Sequence, residues 1–138
     1  MSDQTPDVEH LSGLHTVRKH PNCRGWNGIH YRAGLSAGNT PATQLSMNVA
    51  TIPPGGVAKA HIHDGFDLML YILEGEVRHE YGERLEKTLI NTAGDFIYIE
   101  PGVPHEVFNC SDTDPVVAVV ARAAADEWDR IIDFKRPG

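Results

Sequence analysis

Cysteine is nearly missing from this sequence: there are two among 138 residues, Cys23 and Cys110, with no C-x-x-C pair. Neither a disulfide scaffold nor a thiolate zinc or redox site is therefore expected, and both thiols read as reduced packing residues. Long apolar runs are missing too. No stretch approaches the roughly 18 consecutive apolar residues of a membrane-spanning helix, so no membrane partner is expected. Basic charge is scarce, with 12 Lys and Arg against 19 Asp and Glu and a net charge of −7. Phosphate backbones and anionic headgroups are held by concentrated positive charge, which excludes nucleic acid as the expected partner and favours a small molecule. The opening residues MSDQTPDVEH carry acids, a proline and no apolar core. They read as neither a signal nor a transit peptide, and the expected location is the cytoplasm. No glycine-rich phosphate loop, H-E-x-x-H helix, or Ser or Cys nucleophile beside a base is present. Any chemistry is left to a metal.

What the chain does have is punctuation. Thirteen glycines and nine prolines divide it into short extended runs, the pattern of an all-β sandwich or barrel and not of βαβ units. Strands are predicted near residues 29–33, 44–52, 57–63, 67–74, 76–82, 86–91, 96–99, 106–109 and 115–122. The length fits one domain. Residues 1–43 read as an N-terminal arm lending one or two strands, 44–122 as the barrel, and 123–138 as a tail that is either a short helix or an edge strand. The run DLMLYILE, Asp67 to Glu74, is apolar on both faces. Burial on both sides calls for a second covering surface, and a homodimer is the expected assembly.

Eight histidines are unevenly placed. His61 and His63, at i and i+2 in a predicted strand, point to one face about 7 Å apart. His105 follows some forty residues later. Together with Asp67 they make three nitrogens and a carboxylate, a donor set suited to Fe(II), Mn(II), Ni(II), Co(II) or Zn(II). His10, His15 and His20 recur every five residues, a spacing that shares no strand face, so they read as surface groups. His30, in a turn-like stretch, reads as structural or exposed.

With both segments in view, the chain resembles the cupins, whose jelly-roll barrels carry the motifs G-x5-H-x-H-x3–4-E-x6-G and G-x5-P-x-G-x2-H-x3-N. Gly55, His61, His63 and Gly75 match the first; Gly94, Gly102, His105 and Asn109 match the second. The resemblance spans residues 44–122 and implies a double-stranded β-helix with one divalent metal on His61, His63, Asp67 and His105. Two positions depart from the pattern. Counting forward from His63 lands the motif's glutamate on Asp67, whereas counting back from Gly75 lands it on Leu68, and using Asp67 requires a β-bulge before Gly75. Glu100 stands in place of the motif's proline.

Four further residues are candidates for chemistry around the metal: Tyr71 and Tyr98 as substrate-orienting phenols, His79 in EVRHEY as a pocket residue, and Glu100 as a rim carboxylate. Phe66, Met69, Tyr71, Phe96, Tyr98 and Phe108 read as sandwich core. Arg78 and Arg122 are candidate anchors for a substrate carboxylate, with exposed ion pairing the plainer expectation for each. The resemblance implies a metal-dependent small-molecule enzyme, with dioxygenase or decarboxylase chemistry slightly favoured. The other readings are a non-catalytic ligand-binding or sensing cupin and a metal-free isomerase or epimerase-like cupin.

Overall fold

The structure, a computed structural model, describes residues 8–18, 23–26, 28–126 and 130–137. Every regular element among them is a strand: β1 (Val8–Leu11), β2 (Leu14–Val17), β3 (Cys23–Trp26), β4 (Ile29–Leu35), β5 (Ser46–Ile52), β6 (Val57–His63) and β7 (Leu68–Glu74) lead into β8 (Glu76–Tyr81), β9 (Lys87–Thr92), β10 (Phe96–Ile99), β11 (His105–Asn109), β12 (Val116–Arg122) and β13 (Ile131–Asp133). The nine predicted strands form within two residues of their expected ends. No helix forms in the described part of the tail, which ends instead as the edge strand β13 on β6. The arm contributes β3 and β4 to the barrel, and a separate hairpin, β1-β2.

Six strands in the order β10-β7-β12-β5-β4-β3 make one sheet and five in the order β13-β6-β11-β8-β9 make the other. The described pairings are antiparallel throughout, and sequence-distant strands alternate as neighbours, as in a double-stranded β-helix. Period-2 alternation sends every second side chain into the space between the sheets. On β12 these are Val116, Ala118, Val120 and Arg122; on β5 they are Ser46, Asn48, Ala50 and Ile52. Ile72 and Val77 are almost wholly enclosed, each worth roughly 1.5–3 kcal/mol of apolar burial.

One end of the barrel is tied together by an asparagine. Asn109 donates its side-chain amide to the carbonyls of Ile52 and Pro53, both at 3.1 Å, and of Asp114 at 2.8 Å, while its Oδ1 accepts from the Ser111 backbone at 2.8 Å. The motif asparagine is thus a tie between two loops. Gly75, between β7 and β8, turns at φ 93°, and a Cβ there would lie 2.5 Å from the Pro115 carbonyl oxygen. Both the backbone angle and the crowding require glycine.

The outer face of the six-stranded sheet departs from expectation. Met69, Phe96 and Tyr98 are more than half exposed there, and of the six residues read as core only Phe66 is buried in it. The reason is parity: Leu68, Leu70 and Ile72 take the inward positions of β7, so Met69, Tyr71 and Leu73 face out. Among the described residues of a single chain β7 is covered on one face only. Cys110 is exposed and free, not a packing residue; the Cys23 side chain lies outside the description.

Candidate metal centre

At the other end of the barrel three imidazoles converge. β6 and β11 are antiparallel neighbours with His61 directly opposite His105, and alternation brings His63 to the same inward face. Ring centroids lie 4.4 Å apart for His61 and His105, 4.8 Å for His63 and His105, and 5.1 Å for His61 and His63. One donor nitrogen from each falls within 4.8 Å of the other two. That is the arrangement a single ion needs if it is to take all three.

Two of the rings are fixed from behind. His61 Nδ1 lies 2.7 Å from the Lys59 carbonyl oxygen and His105 Nδ1 2.9 Å from that of Val103. A carbonyl only accepts, so each Nδ1 carries the proton and the ring lone pair is on Nε2, the tautomer of a metal-ligating histidine. Burial keeps the rings neutral. It drives His63 down to about 3, with His61 and Arg122 adding to the shift. His105 is held far below the ordinary range by burial and then by His61 and His63. His61 is lowered by burial against the opposing pull of its bond to Lys59. Neutral nitrogen donors, buried and grouped, suit a divalent transition ion.

Asp67 does not join them. Its carboxylate is exposed and accepts the Tyr98 hydroxyl at 2.7 Å, and its carbonyl accepts from the Ala123 backbone. The β-bulge that Asp67 would need does have a counterpart, a register shift in the β12–β7 pairing opposite Leu73. Residues 68–72 nevertheless hold Leu68 inward, and Asp67, one step earlier, faces solvent. Leu68 therefore occupies the inward place of the motif's glutamate and lines the cavity beside the histidines. Among the described residues the donor set is three imidazoles without a carboxylate.

Among the four chemical candidates, only His79 reaches the site. It lies on β8 opposite Val107, two pairs along from His105 and 6.4 Å from that ring, buried and lining the same cavity. Burial lowers it to about 4, with His61 adding. Tyr71 packs against Phe96 on the outer face. Tyr98 is outside with Asp67, which is the main cause raising its phenol above the ordinary value. Glu100 is exposed at the turn before Pro101, its carbonyl accepting from Val103. Strand parity excludes Tyr71 and Tyr98 from the interior.

Arg78 is a surface residue, as expected, paired with Glu80 at 3.3 Å and stacked over Phe108. Arg122, by contrast, is not an exposed residue. It is 2 % exposed and lines the cavity, with its guanidinium carbon 5.5 Å from the Tyr31 ring centroid. Tyr31 is a further buried wall residue, and sequence reasoning passed over it. For the burial of Arg122 the signal was parity along β12, masked because VVAVVAR is apolar at both odd and even positions.

The N-terminal histidines lie away from this site. The β1-β2 hairpin pairs His10 with His15, their Nδ1 atoms 2.7 Å apart on the surface. Five residues separate them in sequence, yet hairpin pairing makes them face each other. His30 is exposed, and His20 lies outside the described residues.

Imidazoles on the five-stranded sheet and Arg122 with Tyr31 on the six-stranded sheet share one cavity of about 70 Å3, otherwise apolar and lined by no carboxylate among the described residues. At ~10–15 Å3 per water on this measure, it has room for about five or six water-sized atoms. The ligands it takes are small.

No curated protein matches the chain in sequence. Solved structures do match in fold. Bacillus subtilis oxalate decarboxylase, described with Mn(II) centres, superposes with a TM-score of 0.66 at 20% identity over 80% of this chain and 29% of its own. An oxalate oxidase in complex with glycolate gives 0.65 at 24% over 83% of this chain and 59% of that one. The Streptomyces protein PAC13 with uridine gives 0.67 at 12%, over 86% and 88%. The chain thus spans less than a third of the decarboxylase and about three fifths of the oxidase, and at these identities the likeness is one of fold. The family model that matches is the cupin domain, over residues 48–122, more than half the chain and the stretch from within β5 to the end of β12. With the two motifs, the barrel and the converging histidines in agreement, this chain belongs to the cupin family.

Proposed function

We propose that this protein is a metal-dependent enzyme acting on a small molecule through one divalent ion held by His61, His63 and His105. The observation that carries the reading is the convergence of three buried neutral imidazoles whose tautomers are fixed, for two of them, by backbone carbonyls. Such an ion, when bound, supplies a Lewis acid for substrate oxygens or a centre for O2 chemistry. Three neutral protein ligands leave its full charge in place and leave coordination positions for substrate. Fe, Mn, Ni and Zn all accept imidazole donors, and dioxygenase or decarboxylase chemistry is the favoured class.

The chain's own residues have separable tasks. His61 and His105 are held rigidly, so the site is preorganised and does not assemble on binding. Leu68, Ile72 and Val120 exclude bulk water, which strengthens every charge interaction inside. Among the described residues His79 is the one titratable group in the cavity outside the metal set and on the same sheet, placed to accept or return a substrate proton at an imidazole nitrogen.

The reading is tested by loading the protein anaerobically with Mn(II) or Fe(II) and screening small hydroxy-, oxo- and dicarboxylic acids and enediols for O2 uptake and CO2 release. Turnover that needs the metal, disappears in His105→Ala and falls with kcat in His79→Gln supports it. Metal bound stoichiometrically with no turnover in either assay would move the chain to a ligand-binding cupin.

A further inference from the structure

Two histidines of the N-terminal arm face each other well away from the barrel centre. The hairpin β1-β2 belongs to neither barrel sheet. It turns through Ser12 and Gly13, both at positive φ, 24° and 95°, a two-residue turn whose twist matches that of the flanking strands. Leu11 and Leu14 flank the turn, and His10 and His15 form the next pair. In such a hairpin the flanking pair exchanges hydrogen bonds and the pair after it does not. The Cα atoms of that second pair therefore take the closer spacing, about 4.5 Å, with side chains drawn together. The two rings meet edge to face with centroids 4.9 Å apart, and their Nδ1 atoms lie 2.7 Å from each other. Each ring nitrogen can present a lone pair, so two at this distance share either a proton or a metal ion.

Geometry also bears on which ion. A metal about 2.0–2.1 Å from each nitrogen holds two donors about 2.9 Å apart at a right angle and about 3.3–3.4 Å apart at a tetrahedral one. The observed 2.7 Å is nearer the first, and the rings have room to open slightly, His10 being exposed and His15 partly so. The neighbouring side chains supply no further ligand. Asn39 and Thr40, which border the pair, are committed to their own turn: Asn39 bonds the Ser36 amide and the Gly34 carbonyl, and Thr40 the Ser36 carbonyl. Glu9 alternates to the other face of the hairpin and pairs with Arg18 at 2.6 Å.

We propose that His10 and His15 form a second metal site, a two-imidazole clamp on the arm that takes one exchangeable Cu(II) or Ni(II) ion through both Nδ1 atoms. Right-angled nitrogen donors are what tetragonal ions use, and water fills the remaining positions. With two protein ligands the ion is held loosely, so a chelator wash strips the arm and leaves a buried barrel ion in place. A two-stranded hairpin alone is marginal in water. An ion bridging its facing strands fastens it, which makes the order of the arm follow the free concentration of metal. The clamp shares no residue with the barrel centre and stands or falls independently of it.

The probes are Cu(II), Ni(II) and Zn(II) alone, titrated by calorimetry into washed protein that carries no affinity tag. His61→Ala, which lacks the barrel centre, should bind about one equivalent of Cu(II) with the electron paramagnetic resonance of a tetragonal ion on two imidazole nitrogens. Adding His10→Gln or His15→Gln should weaken that binding about 10-fold or more, since losing a ligand costs at least as much as losing a group that supports one. His20→Gln, the control for a histidine of the arm outside the pair, should leave it unchanged. Amide hydrogen exchange across residues 8–17 should slow on adding Cu(II), and not in the chains that lack the pair. If His61→Ala does not fold, the native chain decides, and His10→Gln and His15→Gln should each bind one equivalent fewer than it does. Unchanged Cu(II) affinity in both pair variants, an equal loss in His20→Gln, Zn(II) held more tightly than Ni(II), or hydrogen exchange indifferent to Cu(II) overturns the clamp.

Discussion

The strand parity of β7 is tested by exchanging the two residues that compete for the motif's glutamate position. Leu68 points inward, 4 % exposed, beside the histidines and opposite Arg122 in the register; Asp67 points out and holds Tyr98. Leu68→Glu places a carboxylate in the cavity at nearly unchanged volume. Without metal the variant gives up most of a leucine's burial, roughly 1.5–3 kcal/mol, and must desolvate a charge that Arg122 only partly compensates. A net loss of about 2–4 kcal/mol in urea unfolding is expected, within the range for a buried polar substitution. With Mn(II) the carboxylate becomes a fourth ligand. Adjusting groups that merely support ligands changes metal affinity by about 10- to 100-fold, so a new ligand should raise it by at least that much, and saturating metal should then recover the lost stability by mass action. Asp67→Asn should leave metal affinity unchanged and instead let the Tyr98 phenol return toward its ordinary value, read by absorbance titration. Metal titration followed by competition with a chelator gives the affinities. Loss of metal in Asp67→Asn together with no gain in Leu68→Glu would refute the parity argument.

Other consequences follow from the same geometry. His63 near 3 and His79 near 4 stay neutral in the folded protein while the unfolded chain protonates them from about 6.5 downward. The unfolded state therefore binds more protons below 6.5, and the metal-free protein should lose about 4 kcal/mol between pH 7 and pH 5 from these two groups; a flat stability profile there would contradict their burial as neutral rings. Asn109→Ala removes the tie among Ile52, Pro53, Asp114 and Ser111 and should cost about 2–4 kcal/mol by urea midpoint, with metal binding intact. The outer rows Phe96–Tyr71–Val119–Val49 and Tyr98–Met69–Ala121–Met47 run unbroken across four strands. Their half-exposed or more exposed members offer on the order of 100 Å2 apiece, and with the partly covered residues between them approach the ~800 Å2 per partner of a stable interface. A second copy packed on this face should make the protein sediment as a dimer, with Phe96→Glu a folded monomer; a monomeric native chain at micromolar concentration would rule that out.

Strand positions were legible because alternation and glycine or proline turns are local signals, and so was the triad, because two histidines share a strand face and the third sits in a second motif. The fourth ligand was not. Between His63 and β7 lies a loop, Asp64 to Asp67, across which parity cannot be counted, and the pairing of β7 with β10 and β12 decides it. Arg122 was named as a candidate anchor but expected to be exposed, for a related reason: arginine is seldom buried, and the apolar residues on both faces of β12 gave no alternation to overrule that expectation. The contact between His10 and His15 came from a hairpin, where facing residues need not share a helical or strand spacing.

The central claim is that His61, His63 and His105 hold one metal ion. Elemental analysis of the protein prepared without an affinity tag, native chain beside His61→Ala, tests it most directly. About one equivalent of a divalent transition metal per native chain, and none in the folded variant, is the predicted result. An equal metal content in His61→Ala, or a native chain that binds none even after anaerobic reconstitution, would contradict it.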